Sequence, residues 1–592
     1  MPKKALFALG SLLVLAAVAA YVPALKAGFV WNDDSYVTEN PTLDGADGLR
    51  LIWTDTKANE QYYPMVFTSY WIEKRLWGLA PLGYHLVNVL LHAANALLLW
   101  TLLARLGLPG PGWAAALFAL HPMCVESVAW ITERKNTLSL FLCLLAMLFY
   151  LASREPREEE KTRRFLRKGK REGAQHRSAS AQLSRAARHP LLLSFIGFLL
   201  FILALFAKTT AVVVPAVLLV LVWWKRGKIR GKDVSPLVPW FAAGIALAAH
   251  TAWLERTVVA AAGSEWSLGF LGRVVLAGRT ILFYSKKILL PLDLAFFYER
   301  WPVDARAVAA WLPAVTALVA VFLAWRFRER IGRGPLAALL LFGGVLFPAM
   351  GFFNVYAMRY SWVADHFAYQ AVAVAAASIA CGAAALLQNA PVAVRRAAAA
   401  AAAGILALFG VLTSRQASIY EGEETLWKDT LSKNSSCFSC ETNYGFFLVN
   451  AGRTSEAVAH FETSLKLKPE NVPALLNLGR AAEQRGSLGE AAARLRTAYR
   501  IDPADVAVLV NLATVEVKLG HPDAAVPLYE RALLLGTAQA HIAHNGLGVA
   551  LMKQGQFVEA AGHFREALRL KPDYDFARAN LERALAALGA NG

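Results

Sequence analysis

The sequence predicts an all-α protein in two parts, a polytopic membrane helix bundle followed by an α-solenoid. Three observations carry this. Of 592 residues, 56% are hydrophobic and only 18% charged, and the mean hydropathy is +0.39, too apolar for a purely soluble chain of this length. Apolar runs of membrane-spanning length recur through the first 414 residues. Beyond them glycine recurs at spacings of 34, 34 and 35, at Gly452, Gly486, Gly520 and Gly555.

The first apolar run is 5–22, behind Lys3 and Lys4. A cleaved secretory leader reads the same way, with a charged start, an apolar core and small residues near 17–20. Further runs lie near 83–104, 113–120, 137–152, 190–207, 210–224, 236–253, 307–325, 335–350, 367–388 and 397–413, which makes about eleven spans. Lys and Arg in the connecting loops set their direction. The loop 154–189 holds twelve Lys/Arg against five Glu, and 225–232, 326–330 and Arg395-Arg396 are also basic. All of these share the cytoplasmic side only if 270–291 does not cross. That segment carries Arg273, Arg279, Lys286 and Lys287, costly in lipid, and is read as an amphipathic interfacial helix. The chain is then expected in the inner, cytoplasmic membrane of a bacterium, with a cytoplasmic N-terminus and everything after 413 in the periplasm.

The loops on the outer side hold the candidate chemistry. The first, 23–82, contains Trp31-Asn32-Asp33-Asp34-Ser35-Tyr36. A carboxylate there can take the proton of an attacking hydroxyl or hold a divalent cation; an Asp-rich turn is the plainer alternative. The second span places His85, Asn88, His92 and Asn95 on one helix face, as site residues or as polar contacts between helices. His121 through Asn136 mixes Glu126, Glu133, Arg134 and Lys135 with Trp130, suiting a phosphate and a sugar or an interfacial anchor. Lys208 lies between two spans, either a phosphate ligand or a snorkelling end residue. Arg359, Asp365, His366 and Tyr369 form a late outer cluster, and Lys286-Lys287 precedes 294–298. Together they place a carboxylate loop and several cations on one membrane face, which suits transfer from a phosphorylated lipid.

From 440 onward the period of 34 matches the tetratricopeptide repeat. Ala457, Ala491, Ala525 and Ala560 follow each glycine by five residues, and Phe461, Leu495, Tyr529 and Phe564 by nine. Pro469, Pro503 and Pro572 come seventeen after, with Thr537 as the exception, and Gly445, Gly479, Ala513 and Gly548 precede by seven. The segment 421–436 reads as half a repeat and 575–588 as a capping helix. The domains are therefore 1–414 and 415–592, the second with a half repeat, four repeats and a cap. Cys437 and Cys440 are spaced as a CxxC without the companions of a zinc or haem site, leaving a local disulfide or two thiols.

In order, the chain resembles the transmembrane and tetratricopeptide-repeat protein O-mannosyltransferases of bacterial type, within the GT-C class of membrane glycosyltransferases. The residues that carry this are 31–40 with the Asp33-Asp34 pair, 83–88, His121-Pro122 through Glu133-Arg134-Lys135, Lys208, 294–298 and 364–369, followed by the repeats. The resemblance implies a GT-C-like bundle. It implies a catalytic base at Asp33 or Asp34 and a polyprenyl-phosphate sugar, often mannose, as donor. It also implies a phosphate-binding role for some of Arg134, Lys135, Lys208, Arg359 and His366, and His85, His121, Glu126, Asp365 and Tyr369 complete the candidate donor phosphate and sugar contacts. Asn32 stands where a further Asp is common, and His366 where an Arg is common, so its charge varies with pH.

The function expected is transfer of mannose or another hexose, with inversion, to Ser/Thr of acceptor proteins held by the repeats. The partners are then the lipid-linked donor, an acceptor protein or peptide and membrane lipids. No tightly bound cofactor and no protein-held metal are expected, and a divalent ion is left open. Alternatives are a non-enzymatic membrane scaffold or receptor working through its repeats, a transporter using the same polar cavity, and a glycosyltransferase acting on a glycan or lipid. The net charge of +18 does not indicate nucleic acid. Residues 415–592 carry nearly equal acids and bases, so the excess lies in the membrane half, mostly in loops assigned to the cytoplasm.

Overall fold

The computed structural model describes residues 3–154, 189–258, 268–537 and 539–590. The basic loop 154–189 falls, apart from its two ends, outside the described residues. Among the described residues the secondary structure is helical throughout, without strands. Two compact units divide the chain, Met1–Lys433 and Asn434–Gly592.

In the first unit eight helices are long and apolar enough to cross a membrane. They are Pro81–Arg105, Ile131–Arg154, Pro190–Ala207, Thr209–Arg226, Gly231–Thr257, Val308–Arg326, Asp365–Leu387 and Val392–Glu421. A ninth candidate is the pair Pro111–Ala119 and Pro122–Ala129, bent by 58°. Lys4–Ala20 and Gly334–Ala349 are shorter and also apolar. Together they match the eleven apolar runs, and the protein is an integral membrane protein. Many side chains on these helices stay exposed, including Phe7, Leu191 and Leu386, as lipid-facing surfaces require.

Phe270–Leu289 is not among the spanning helices. It buries Val275, Leu276, Tyr284 and Ile288 while Lys286 stays exposed. Its Gly278 lies against Ala314, where a Cβ would come within 2.4 Å of the neighbouring backbone. Helix Leu312–Arg326 therefore packs closer than any larger residue permits.

The stretch 118–137 departs most from its sequence reading as a loop or interfacial helix. Every residue in it is buried. It runs as a short helical turn Pro122–Cys124, a helix Val125–Ala129 and a second turn Ile131–Glu133, then enters Arg134–Arg154. Its charges are tolerated because each meets a partner inside the bundle.

The second unit stacks four helix pairs, from Phe438–Asn450 with Thr454–Leu467 to Ala540–Lys553 with Phe557–Leu570, and ends in Asp575–Ala590. The small-to-large alternation has a direct steric cause. A Cβ at Gly445 would lie 2.5 Å from Phe461, and at Gly479 2.7 Å from Leu495. Helix Glu423–Lys433, read from sequence as half a repeat, lies within the first unit, and the division comes after Lys433 rather than after 414. Cys437 and Cys440 are paired as a disulfide.

Candidate functional site

At one end of the first unit the loops converge on residues 30–40. Trp31 sits in the left-handed region, with φ of 46°, a conformation costing about 1–3 kcal/mol in a non-glycine residue. Its surroundings hold it there. Its ring stacks on Trp130 at 5.4 Å and meets Phe296, Phe297 and Trp427 edge-on. Its N–H donates to Glu423 Oε1 at 2.8 Å. The turn this creates points Asp33 inward and Asp34 outward.

The two carboxylates therefore differ sharply. Asp33 is wholly buried. Its Oδ1 accepts from Thr132 N–H at 2.9 Å and Thr132 Oγ1 at 2.7 Å, and its Oδ2 accepts from Val30 N–H at 2.9 Å. Burial still dominates these three bonds and pushes its carboxyl up to about 7. Asp34 is exposed, and its Oδ1 accepts from Ser35 N–H at 2.6 Å.

Thr132 links this loop to a charged cluster in the next residues. The Glu133 carboxylate receives Lys135 Nζ at 2.8 Å, Lys208 Nζ at 3.5 Å and Asn136 Nδ2 at 2.6 Å, with His366 Nε2 at 3.8 Å. Asn136 Oδ1 accepts from Lys208 at 2.7 Å. Glu126 holds His366 from the other side, by the backbone N–H at 2.7 Å and by Nδ1 at 2.9 Å. Tyr36 and Tyr63 lie beneath Lys135 at 5.4 and 5.7 Å. Of the residues named from sequence, Glu126, Lys135, Lys208 and His366 are thus brought together. Thr132 and Asn136 were not singled out, and Glu133 was noted only as part of the charged run. The run Thr132-Glu133-Arg134-Lys135-Asn136 showed their polarity, but their partners Asp33 and Lys208 are remote in sequence.

Four named candidates are engaged elsewhere. Arg134 is fully buried and bonds Asn88 Oδ1 and Tyr84 O at 2.7 Å, Ser69 at 3.3 Å, and pairs with Glu73. A guanidinium so occupied has no face left for a ligand. His121 caps Pro122–Cys124 by accepting from Met123 N–H and reaches Ile288 O at 2.9 Å. Tyr369 hydroxyl is shared by His92 at 2.8 Å and Asn95 at 3.1 Å, in the core. His85 is buried against Gly28 O at 3.2 Å. These four make their hydrogen bonds within the bundle. Asp365 is buried and accepts from Tyr298 hydroxyl at 2.7 Å, while Arg359 donates to Tyr356 hydroxyl and lies over Tyr356 and Tyr360. Among the described residues, no three His, Cys, Asp or Glu side chains are arranged to hold a metal ion.

Within the bundle lies an apolar cavity of about 520 Å³. Leu140, Val213 and Gln370 line it close in sequence to Asn136, Lys208 and His366. Leu103, Trp224, Ile331 and Leu386 line its far reach, near the basic loops.

A tetratricopeptide-repeat family model matches residues 448–506 and 510–575. The chain is 36% identical over 142 residues to "Protein O-mannosyl-transferase Tmtc1" of Drosophila melanogaster, covering 22% of this chain and 16% of that one. It is 27% identical over 158 residues to "Protein O-mannosyl-transferase F38B6.6" of Caenorhabditis elegans, covering 24% and 23%. It is 31% identical over 146 residues to "Protein O-mannosyl-transferase TMTC2" of Homo sapiens, covering 23% and 17%. The chain thus spans less than a quarter of the length of these relatives. Among solved structures it is similar to the tetratricopeptide-repeat protein YrrB, at 22% identity and TM-score 0.25 over 27% of this chain and 82% of that one. It is also similar to MamA, at 21% identity and TM-score 0.24 over 26% and 82%. The resemblance read from the sequence to the transmembrane and tetratricopeptide-repeat O-mannosyltransferases is borne out in these matches.

Proposed function

We propose that the chain is a polyprenyl-phosphate-sugar-dependent glycosyltransferase that moves mannose or another hexose onto Ser/Thr of acceptor proteins. One observation carries this reading. The loop that carries the exposed carboxylate Asp34 is tied, by the bonds from Thr132 to Asp33, to the segment whose next residue, Glu133, gathers Lys135, Lys208 and His366. A candidate base and a set of candidate cations thus sit on two joined segments, and displacement of a lipid phosphate needs both kinds of group. The similarity to O-mannosyltransferases supports the same chemistry.

In this mechanism Asp34 is the base and Asp33 positions it. Asp33 has both oxygens occupied by donors, whereas Asp34 faces solvent. The acceptor hydroxyl gives its proton to Asp34 as its oxygen attacks the anomeric carbon. The bond from that carbon to the phosphate oxygen breaks, and its electron pair leaves with the phosphate. Lys135, Lys208 and His366 meet the charge that develops there. A single displacement inverts the anomeric centre. The apolar cavity near this cluster suits the donor's isoprenoid tail, since its volume falls within the range of about 300–1,000 Å³ usual for ligand sites. The repeats present the acceptor. In this reading the basic loops face the cytoplasm, and the site faces the periplasm across a bacterial inner membrane, with a cytoplasmic N-terminus.

The test compares intact masses of envelope proteins from cells with the wild-type gene, a deletion, and Asp34→Asn. Loss of a hexose-sized increment in both altered strains is expected. An unchanged protein mass with altered envelope glycan would move the acceptor to a glycan or lipid. No change in either would leave the scaffold reading.

A further inference from the structure

Lys135 and Lys208 meet on the Glu133 carboxylate with His366 3.8 Å away, and the carboxylate is far more enclosed than the groups around it. Lys135, Lys208 and His366 each keep about a tenth of the side chain exposed (10%, 11% and 10%), while Glu133 keeps 1%. Glu133 is thus the most enclosed of the four, and its carboxylate meets the charge of Lys135 and Lys208. The two lysines and the imidazole come from separate elements, the helix Arg134–Arg154, the break before Thr209 and the turn Asp365–Ala368. A phosphate that meets the two lysines has to compete with the carboxylate they already hold.

We propose that Glu133 is a positioning residue that competes with a lipid phosphate for Lys135 and Lys208, which speeds release of the product lipid phosphate. This rests on the reading of the cluster as the phosphate site. Lys208 is the contact that gives way. It lies 3.5 Å from Glu133 but 2.7 Å from Asn136, so it can turn to an arriving phosphate and keep its amide partner. Lys135, at 2.8 Å, stays.

The test measures binding of a short-chain polyprenyl phosphate, and separately of inorganic phosphate, to the full-length protein in detergent. Glu133→Gln removes the competing charge and keeps the shape. It is expected to bind the lipid phosphate about tenfold more tightly. Steady-state kcat should fall by a larger factor than the single-turnover rate, because product release is the step that slows. A folded Glu133→Gln protein that binds the lipid phosphate no more tightly than wild type overturns the proposal. If that variant does not accumulate, Glu133→Asp carries the test. Its shorter reach should tighten binding by a smaller factor, and weaker binding overturns the proposal. Lys208→Ala distinguishes the two levels. Unchanged lipid-phosphate affinity in Lys208→Ala overturns the phosphate-site reading itself, whatever Glu133 does. Inorganic phosphate that is bound as tightly as the lipid form assigns recognition to the headgroup alone.

Discussion

The contrast between the adjacent carboxylates gives the sharpest prediction. In Asp33→Asn the amide oxygen can keep the Thr132 pair at Oδ1, but the amide NH2 then faces Val30 N–H, two donors with no acceptor. Leaving buried donors unmatched costs about 1–3 kcal/mol. The turn at Trp31 loses one of its tethers, and Asp34 is displaced rather than removed. In Asp34→Asn no tertiary hydrogen bond recorded here is lost, but the base is gone, which costs about 10²–10⁴ in rate. The assay is transfer of labelled sugar to acceptor protein in proteoliposomes, paired with thermal unfolding in detergent. Asp34→Asn should unfold like wild type and lose nearly all transfer. Asp33→Asn should unfold at a lower temperature and retain part of it. The reverse pattern, with transfer lost only in Asp33→Asn at unchanged stability, would refute the assignment. Burial also raises the Asp33 carboxyl to about 7. Its contribution to stability is therefore fully present below the ordinary Asp value and is lost as pH rises through about 7. Wild type should lose unfolding temperature across that window more than Asp33→Asn does.

Other residues give independent tests. Glu73→Ala leaves Arg134 charged and buried without its carboxylate, which should cost about 3–5 kcal/mol, seen as loss of folded protein on size-exclusion chromatography. Lys208→Ala should accumulate normally and raise the donor KM in the transfer assay. In the repeats, His544 and His563 bring their Nδ1 atoms within 3.0 Å, and burial first, then for His544 the charge of His563, lowers their affinity for protons. Their stability contribution is present above the ordinary His value and is lost as pH falls below it. Unfolding of the full chain followed by hydrogen exchange should show the last repeat opening first near pH 5, and His544→Asn should remove that sensitivity. Gly479→Val places a branched side chain where Leu495 already sits and should cost about 1–3 kcal/mol, read by the same exchange measurement.

Much of the fold was legible because its signals are local. A spanning helix is a continuous apolar run, and a repeat of helix pairs recurs in register with the steric fit of Gly445 to Phe461 and Gly479 to Leu495. The charges of 270–291 also set it apart, and its helix is not among those long and apolar enough to cross a membrane. The stretch 118–137 did not. Its Glu, Arg, Lys and His read as surface chemistry, yet every residue is buried. What permits this is a set of partners from elsewhere: Glu73 for Arg134, Lys208 for Glu133, His366 for Glu126. No spacing rule connects residues that far apart.

The amino-acid sequence alone determined the all-helical, two-part architecture, the apolar spans, the repeat period and the residue types that could carry transfer. The tertiary structure alone decided which of them are buried and what each one meets. It turned Asp33 inward to three donors and left Asp34 outside, tied Arg134, His121, His85 and Tyr369 into the bundle, and gathered Lys135, Lys208 and His366 around Glu133. The reason is physical. Burial of a charge is decided by the partners that long-range packing brings to it, and those partners are written in distant parts of the chain.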